Sequence, residues 1–167
     1  MSEFTYKPSQ HVPFRDMGVI ERVRRIKKED IAKHPNPDYK IRVIKDSELR
    51  FIWLIDMFHR IKTAADNNEQ LVMLMPNPWP LFRILAHMIN KFKVNCTHLH
   101  TFNLDEYADE DGNIAPDTWE YGFGYTFKKF FISEIDAELR PPEKQVVLLS
   151  NKNIADYGKM ISDLGEA

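Results

Sequence analysis

A single cysteine, Cys96, is all the thiol chemistry in these 167 residues. No internal disulfide can form, and a fold stapled by disulfides is excluded. Cys96 stands in an apolar run, where a buried and inert thiol is expected. No stretch approaches the roughly 20 apolar residues that a membrane-spanning helix needs. The first residues, Met1 to Phe14, are polar and carry prolines, without the apolar core of a signal peptide. Charge of one sign is also lacking. The formal net charge is −2, too weak a field to recruit nucleic acid or an anionic membrane. The densest basic stretch, Arg22 to Lys28, is flanked by Glu21, Glu29 and Asp30, the pattern of a solvated helix face. These absences point to a cytoplasmic protein in a reducing compartment. Neither an internal repeat nor a low-complexity segment is present.

What is present is an ordinary globular composition, 43% hydrophobic and 29% charged, at a length that suits one domain. Residues 1–39 read as an amino-terminal extension. Within it Val19 to Ala32 has helical spacing, stopped at His34-Pro35-Asn36-Pro37 because proline removes a donor and restricts its predecessor. Residues 40–167 read as an α/β domain. Lys40 to Lys45 alternates like a short strand. Asp46-Ser47-Glu48 supplies a cap and first-turn acids for a helix to about Ala65, with Phe51, Leu54, Ile55, Phe58 and Ile61 on one face. Leu71 to Met75 is a continuous apolar run, as in a strand covered on both faces. Leu81 to Phe92 has helical spacing, Cys96 to Leu104 reads as a second strand and Trp119 to Ile135 as a helix. Gln145 to Leu149 reads as a third strand, and Ile154 to Leu164 as the start of a further helix. Strands alternating with helices predict a doubly wound, Rossmann-like α/β fold, its mostly parallel sheet flanked by helices. The chain ends just after a helix, where this alternation calls for another strand. The carboxy-terminal part of the sheet is therefore expected to be missing, leaving an edge or apolar surface prone to homo-oligomer contacts.

The chemistry-bearing segment is Thr101-Phe102-Asn103-Leu104-Asp105-Glu106-Tyr107, where a strand gives way to a loop. Ligands of open parallel sheets bind at the carboxyl ends of strands, so a carboxylate there is placed to act. Adjacent acids on extended chain point to opposite sides, so one can face a cleft while the other anchors the loop. On spacing alone, a turn-forming acidic pair in a solvated loop remains the alternative. His98 and His100, two apart, offer two imidazoles without a third ligand, so no metal is assigned. The loop Asp109-Glu110-Asp111-Gly112 fails as a calcium loop, since Tyr107 and Thr118 fall at ligand positions. Trp119, Tyr121, Phe123, Tyr125, Phe127, Phe130 and Phe131 read as core rather than as a stacking platform, and Gly122 and Gly124 mark close packing or an irregular helix entry.

Phe102-Asn103-Leu104-Asp105-Glu106-Tyr107 resembles the Phe-Asn-(Met/Leu)-Asp-Glu-Tyr signature of glucosamine-6-phosphate isomerase/deaminases. Phe130-Phe131, Ile135-Asp136 and Pro141-Pro142-Glu143 before a strand follow the same order of features. The similarity runs from about Ile41 to the end. It implies aldose–ketose isomerisation and deamination of an amino sugar phosphate, a small-molecule partner, without a redox cofactor. Asp105 then corresponds to the base that moves a proton between C1 and C2, Glu106 to a supporting acid, and Tyr107 and Asn77 to substrate contacts. A 6-phosphogluconolactonase-like hydrolase and a non-catalytic α/β sugar-phosphate-binding module are the alternatives. Where the family has a glycine- and Ser/Thr-containing phosphate loop, this sequence has Pro76-Asn77-Pro78-Trp79-Pro80. Three prolines remove three backbone donors. A rigid turn fits that segment as well as a phosphate site built from Asn77 and the following helix start. The family's Gly-His-Ile-Ala-Phe-type segment, with the ring-opening histidine, would lie beyond Ala167, so an inactive chain is expected.

Overall fold

The computed structural model describes residues 15–76 and 80–165. The chain divides into two units, Met1–Lys45 and Asp46–Ala167. In the first, α1 (Met17–Arg24) starts at Asp16, whose side chain accepts from Val19 N, and none of its residues is buried. The expected helix to Ala32 is thus shorter, with a separate 3-10 turn at Lys28–Asp30. Continuing α1 would stack Arg24, Arg25, Lys27 and Lys28 at helical neighbour spacing, and like charges there repel. Lys40 to Lys45 is irregular rather than a strand. A strand is stable only when a neighbour fills its hydrogen bonds, and no described strand pairs with this segment.

The second unit alternates as expected. Its elements are α2 (Asp46–Asn67), β1 (Leu71–Met75), α3 (Leu81–Lys91), β2 (Leu99–Asn103), α4 (Phe123–Phe130), β3 (Val146–Val147) and α5 (Tyr157–Gly165). The three strands form one sheet in the order β1-β2-β3, parallel throughout. Leu71 pairs with Leu99 and Met75 with Asn103, while Thr101 pairs with Val146. The second and third strands are shorter than their sequence runs, because pairing stops where partners end. Gln145 tightens the entry to β3, its buried amide donating to the carbonyls of Thr97 and Leu99 at 3.0 Å.

Met73, Met75 and Leu99 turn one sheet face toward α2, α3 and α4. The centre of this core is aromatic. Phe82 is fully buried, with ring centroids of Trp53, Phe127 and Phe131 5.3–5.5 Å away. α2 buries Met57, Ile61 and Ala64, whereas Phe51 and Ile55 of the expected apolar face are 68% and 61% exposed. Leu54, Phe58 and Ile61 of that face do pack on the core, so only its outer members are exposed. Cys96 is fully buried, and burial pushes its thiol up to about 12, as the inert reading requires. On the opposite sheet face Phe102 meets Tyr157 of α5 edge to face.

Candidate functional site at the end of the central strand

β2 is the central strand, and its carboxyl end is where the sequence placed its chemistry. Leu104 N donates to Met75 O at 2.8 Å, extending the β1–β2 ladder by one bond. The chain bends at Leu104, whose side chain is exposed, and Asp105 follows, half-buried, beside the exit of β1. Asp105 Oδ1 is buried and has no hydrogen-bond partner among the described residues. Two residues on the same face of β2 share this state. Thr101 Oγ1 and Asn103 Oδ1 are likewise unpartnered, in side chains 0% and 3% exposed.

Glu106 is fully engaged. One carboxylate oxygen accepts from Tyr107 N and Phe123 N, both at 2.9 Å, and the other from Gly124 N at 2.7 Å. Phe123 and Gly124 open α4, so the carboxylate fills the amino end of that helix, where backbone donors and the helix dipole favour an anion. This explains where α4 starts. The expected helix from Trp119 begins only at Phe123, with Gly122 extended at the cap, and a 3-10 turn at Ile132–Glu134 follows it. It also explains the two glycines. A Cβ on Gly124 would stand 3.3 Å from Glu106 Oε2 and 3.1 Å from Leu148 Cδ1. One on Gly122 would stand 3.1 Å from Trp119 O.

Tyr107 is about half exposed, its ring 4.5 Å from that of Phe123 and 5.6 Å from Trp119. The aromatic series is therefore split. Phe127 and Phe131 are core, while Trp119 and Tyr121 are 41% and 69% exposed. The acidic loop closes on itself. The Asp109 carboxylate accepts from the amides of Asp111 and Asn113 and from the Asn113 side chain, and these bonds hold it below the usual carboxylate range. His98 precedes β2, its Nδ1 2.9 Å from Asn95 O, and His100 lies within the strand. Burial, then Lys144 and His98, lower the His100 pKa. Asn77 lies outside the described residues.

Sequence reasoning named Thr101 and Asn103 only as members of the segment, without a role, and passed over Tyr157. The signal for the first two was available: polar residues two apart inside a buried strand need partners. Tyr157 was legible only in three dimensions. Its hydroxyl lies 2.9 Å from Asn103 O and 3.1 Å from Val147 O, bridging the ends of β2 and β3.

No family model matches the sequence, and no curated protein matches it. Among solved structures, the fold matches a monomeric glucosamine-6-phosphate deaminase described as a missing link of the NagB superfamily. The TM-score is 0.52 at 16% sequence identity, and the match covers 67% of this chain and 47% of that one. The chain thus spans less than half of the neighbour it matches. At that identity the likeness is one of fold: a parallel sheet flanked by helices, as in a sugar-phosphate isomerase/deaminase.

Proposed function

We propose that the end of β2 is an amino-sugar site and that Asp105 is a proton-transfer base for aldose–ketose isomerisation and deamination of the glucosamine-6-phosphate type. The observation that carries this is the buried, unpartnered Asp105 oxygen beside a Glu106 whose carboxylate is committed to α4. The two adjacent acids divide the work: Glu106 fixes the loop and Asp105 keeps a free lone pair. A carboxylate relieved of internal partners and half withdrawn from water suits proton abstraction next to a carbonyl. Starting from the ketose, Asp105 takes a proton from C1, and the C–H electron pair becomes the C1–C2 double bond of the enediol as the C2 oxygen takes a proton from solvent. Return of the proton to C2 uses the double-bond electrons for the new C–H bond, the C1 hydroxyl gives its proton back to solvent as the aldehyde forms, and there is no net redox change.

Full deamination also requires ring opening and loss of ammonia, whereas solvent exchange at C1 asks only for the base. Deuterium wash-in at C1 of the open-chain ketose, followed by NMR, isolates that step. The 167-residue chain is expected to exchange above the buffer rate, and Asp105→Asn to slow exchange by about 10²–10⁴-fold. The variant's melting temperature should stay unchanged, since the oxygen it alters has no partner among the described residues. A destabilised variant with normal exchange would leave Asp105 a turn anchor. Binding without exchange would favour the second reading, a non-catalytic sugar-binding module. One observation supports that reading: His100 lies on the sheet face opposite Thr101 and Asn103, so it is no second titratable group beside them.

A further inference from the structure

α2 carries apolar residues on two faces. The inner face takes Met57, Ile61 and Ala64 into the core. The outer one is centred on Ile55, with Phe51 one turn before it, and both are largely exposed. At about 100° per residue, Glu48, Phe51, His59 and Lys62 all fall within about 40° of Ile55, and Ile52 and Phe58 flank them. The partly buried ring of Phe58 continues the stripe to exposed Phe92, with centroids 5.4 Å apart. Scattered exposed apolar residues are ordinary, but a contiguous patch rimmed by charge marks a contact surface.

The order of residues along the stripe shows what fits it, because positions equidistant from Ile55 are complementary. Against an antiparallel second copy, with Ile55 on the two-fold axis, Glu48 meets Lys62, Ile52 meets Phe58 and Phe51 meets His59. Glu48 lies in the first turn of α2 and Lys62 about four turns on, so both ends of the pair bring opposite charges together. Lys62 bonds Asp66 within its own helix, and its side chain is 41% exposed, so its ammonium has protons for a second carboxylate. A parallel pairing about a two-fold axis would instead set Glu48 on Glu48 and Lys62 on Lys62.

We propose that α2 is a homodimer contact, two copies pairing antiparallel through Phe51, Ile52, Ile55 and Phe58, with Glu48 of each against Lys62 of the other. It stands independently of any chemistry at the end of β2. A single helix pair lies at the small end of specific interfaces, so the association is weak and depends on concentration. Sedimentation equilibrium of the whole chain at rising concentration tests it. The apparent mass should climb from 19.7 kDa towards twice that value. Ile55→Glu sets two carboxylates on the axis and should hold the chain at the monomer mass, at unchanged melting temperature because the altered side chain is exposed. Glu48→Lys and Lys62→Glu each create two like-charged pairs and should each self-associate about tenfold more weakly. An equimolar mixture of these two variants restores both opposite pairs and should associate as the unaltered chain does. A monomer at every concentration overturns the inference. So does a dimer that survives Ile55→Glu, which lies elsewhere on the surface, and so does a mixture that stays as weak as its components.

Discussion

The two faces of one sheet are finished differently. Met73, Met75 and Leu99 look into a layer where Phe82, Leu85, Ile89 and Phe127 are all but fully buried. The opposite face, carrying Val72, Leu74, His100 and Phe102, meets α5 through Tyr157, and Leu74 remains 49% exposed. The same alternation of side chains thus gives a sealed face and an open one. Stability is concentrated on the first, while the second is held by a few directional contacts.

The sharpest test of that contrast is truncation on each face. Phe82→Ala removes the ring at the centre of the aromatic cluster and should cost about 3–5 kcal/mol, read by denaturant or thermal unfolding. Leu74→Ala, on the open face, should cost under about 1 kcal/mol. Equal losses would mean that the second face is packed as tightly as the first. Tyr157→Phe should fall between them, at about 0.5–1.5 kcal/mol, because it deletes only the hydroxyl that bridges the ends of β2 and β3.

The smallest effect is a pH dependence on the open face. The His100 pKa is lowered in the folded chain by burial and by neighbouring Lys144 and His98, so the neutral ring is favoured there. The unfolded chain takes up the proton at higher pH. The contribution of His100 is therefore present above its ordinary pKa and is lost as pH falls through the lowered value. His100→Gln should flatten the decline in melting temperature on acidification from neutral pH. An unchanged slope would place the acid sensitivity elsewhere.

The order of elements was legible because each depends on local periodicity. Leu71 to Met75 could be read as a covered strand and Leu81 onward as a helix from spacing alone. What failed depended on partners. Lys40 to Lys45 alternates like a strand and has none to pair with among the described residues, and of the expected α2 face Leu54, Phe58 and Ile61 reach the core while Phe51 and Ile55 do not. At the site, the hexapeptide drew attention to Asp105 and Glu106, and adjacent acids were expected to take different roles; the one has an unpartnered oxygen among the described residues and the other is fully bonded. That Glu106 would find its donors 17 and 18 residues later was beyond local reading. Gly122 and Gly124 could be read as marks of close packing or an irregular helix entry, but not as the source of one of those donors, the amide of Gly124.

The Glu106 contact ties the neck of an excursion whose tip is the turn around Gly112. Once a neck is fixed, lengthening the loop is cheap: doubling it costs only about 0.6 kcal/mol in closure entropy. Gly112 has a positive φ of 82°, and a Cβ built there meets nothing within 4 Å. The chain therefore has a natural point of insertion. A dye-bearing peptide or affinity epitope can be spliced into the tip, with the carboxylate at the neck shielding the strand end from the addition.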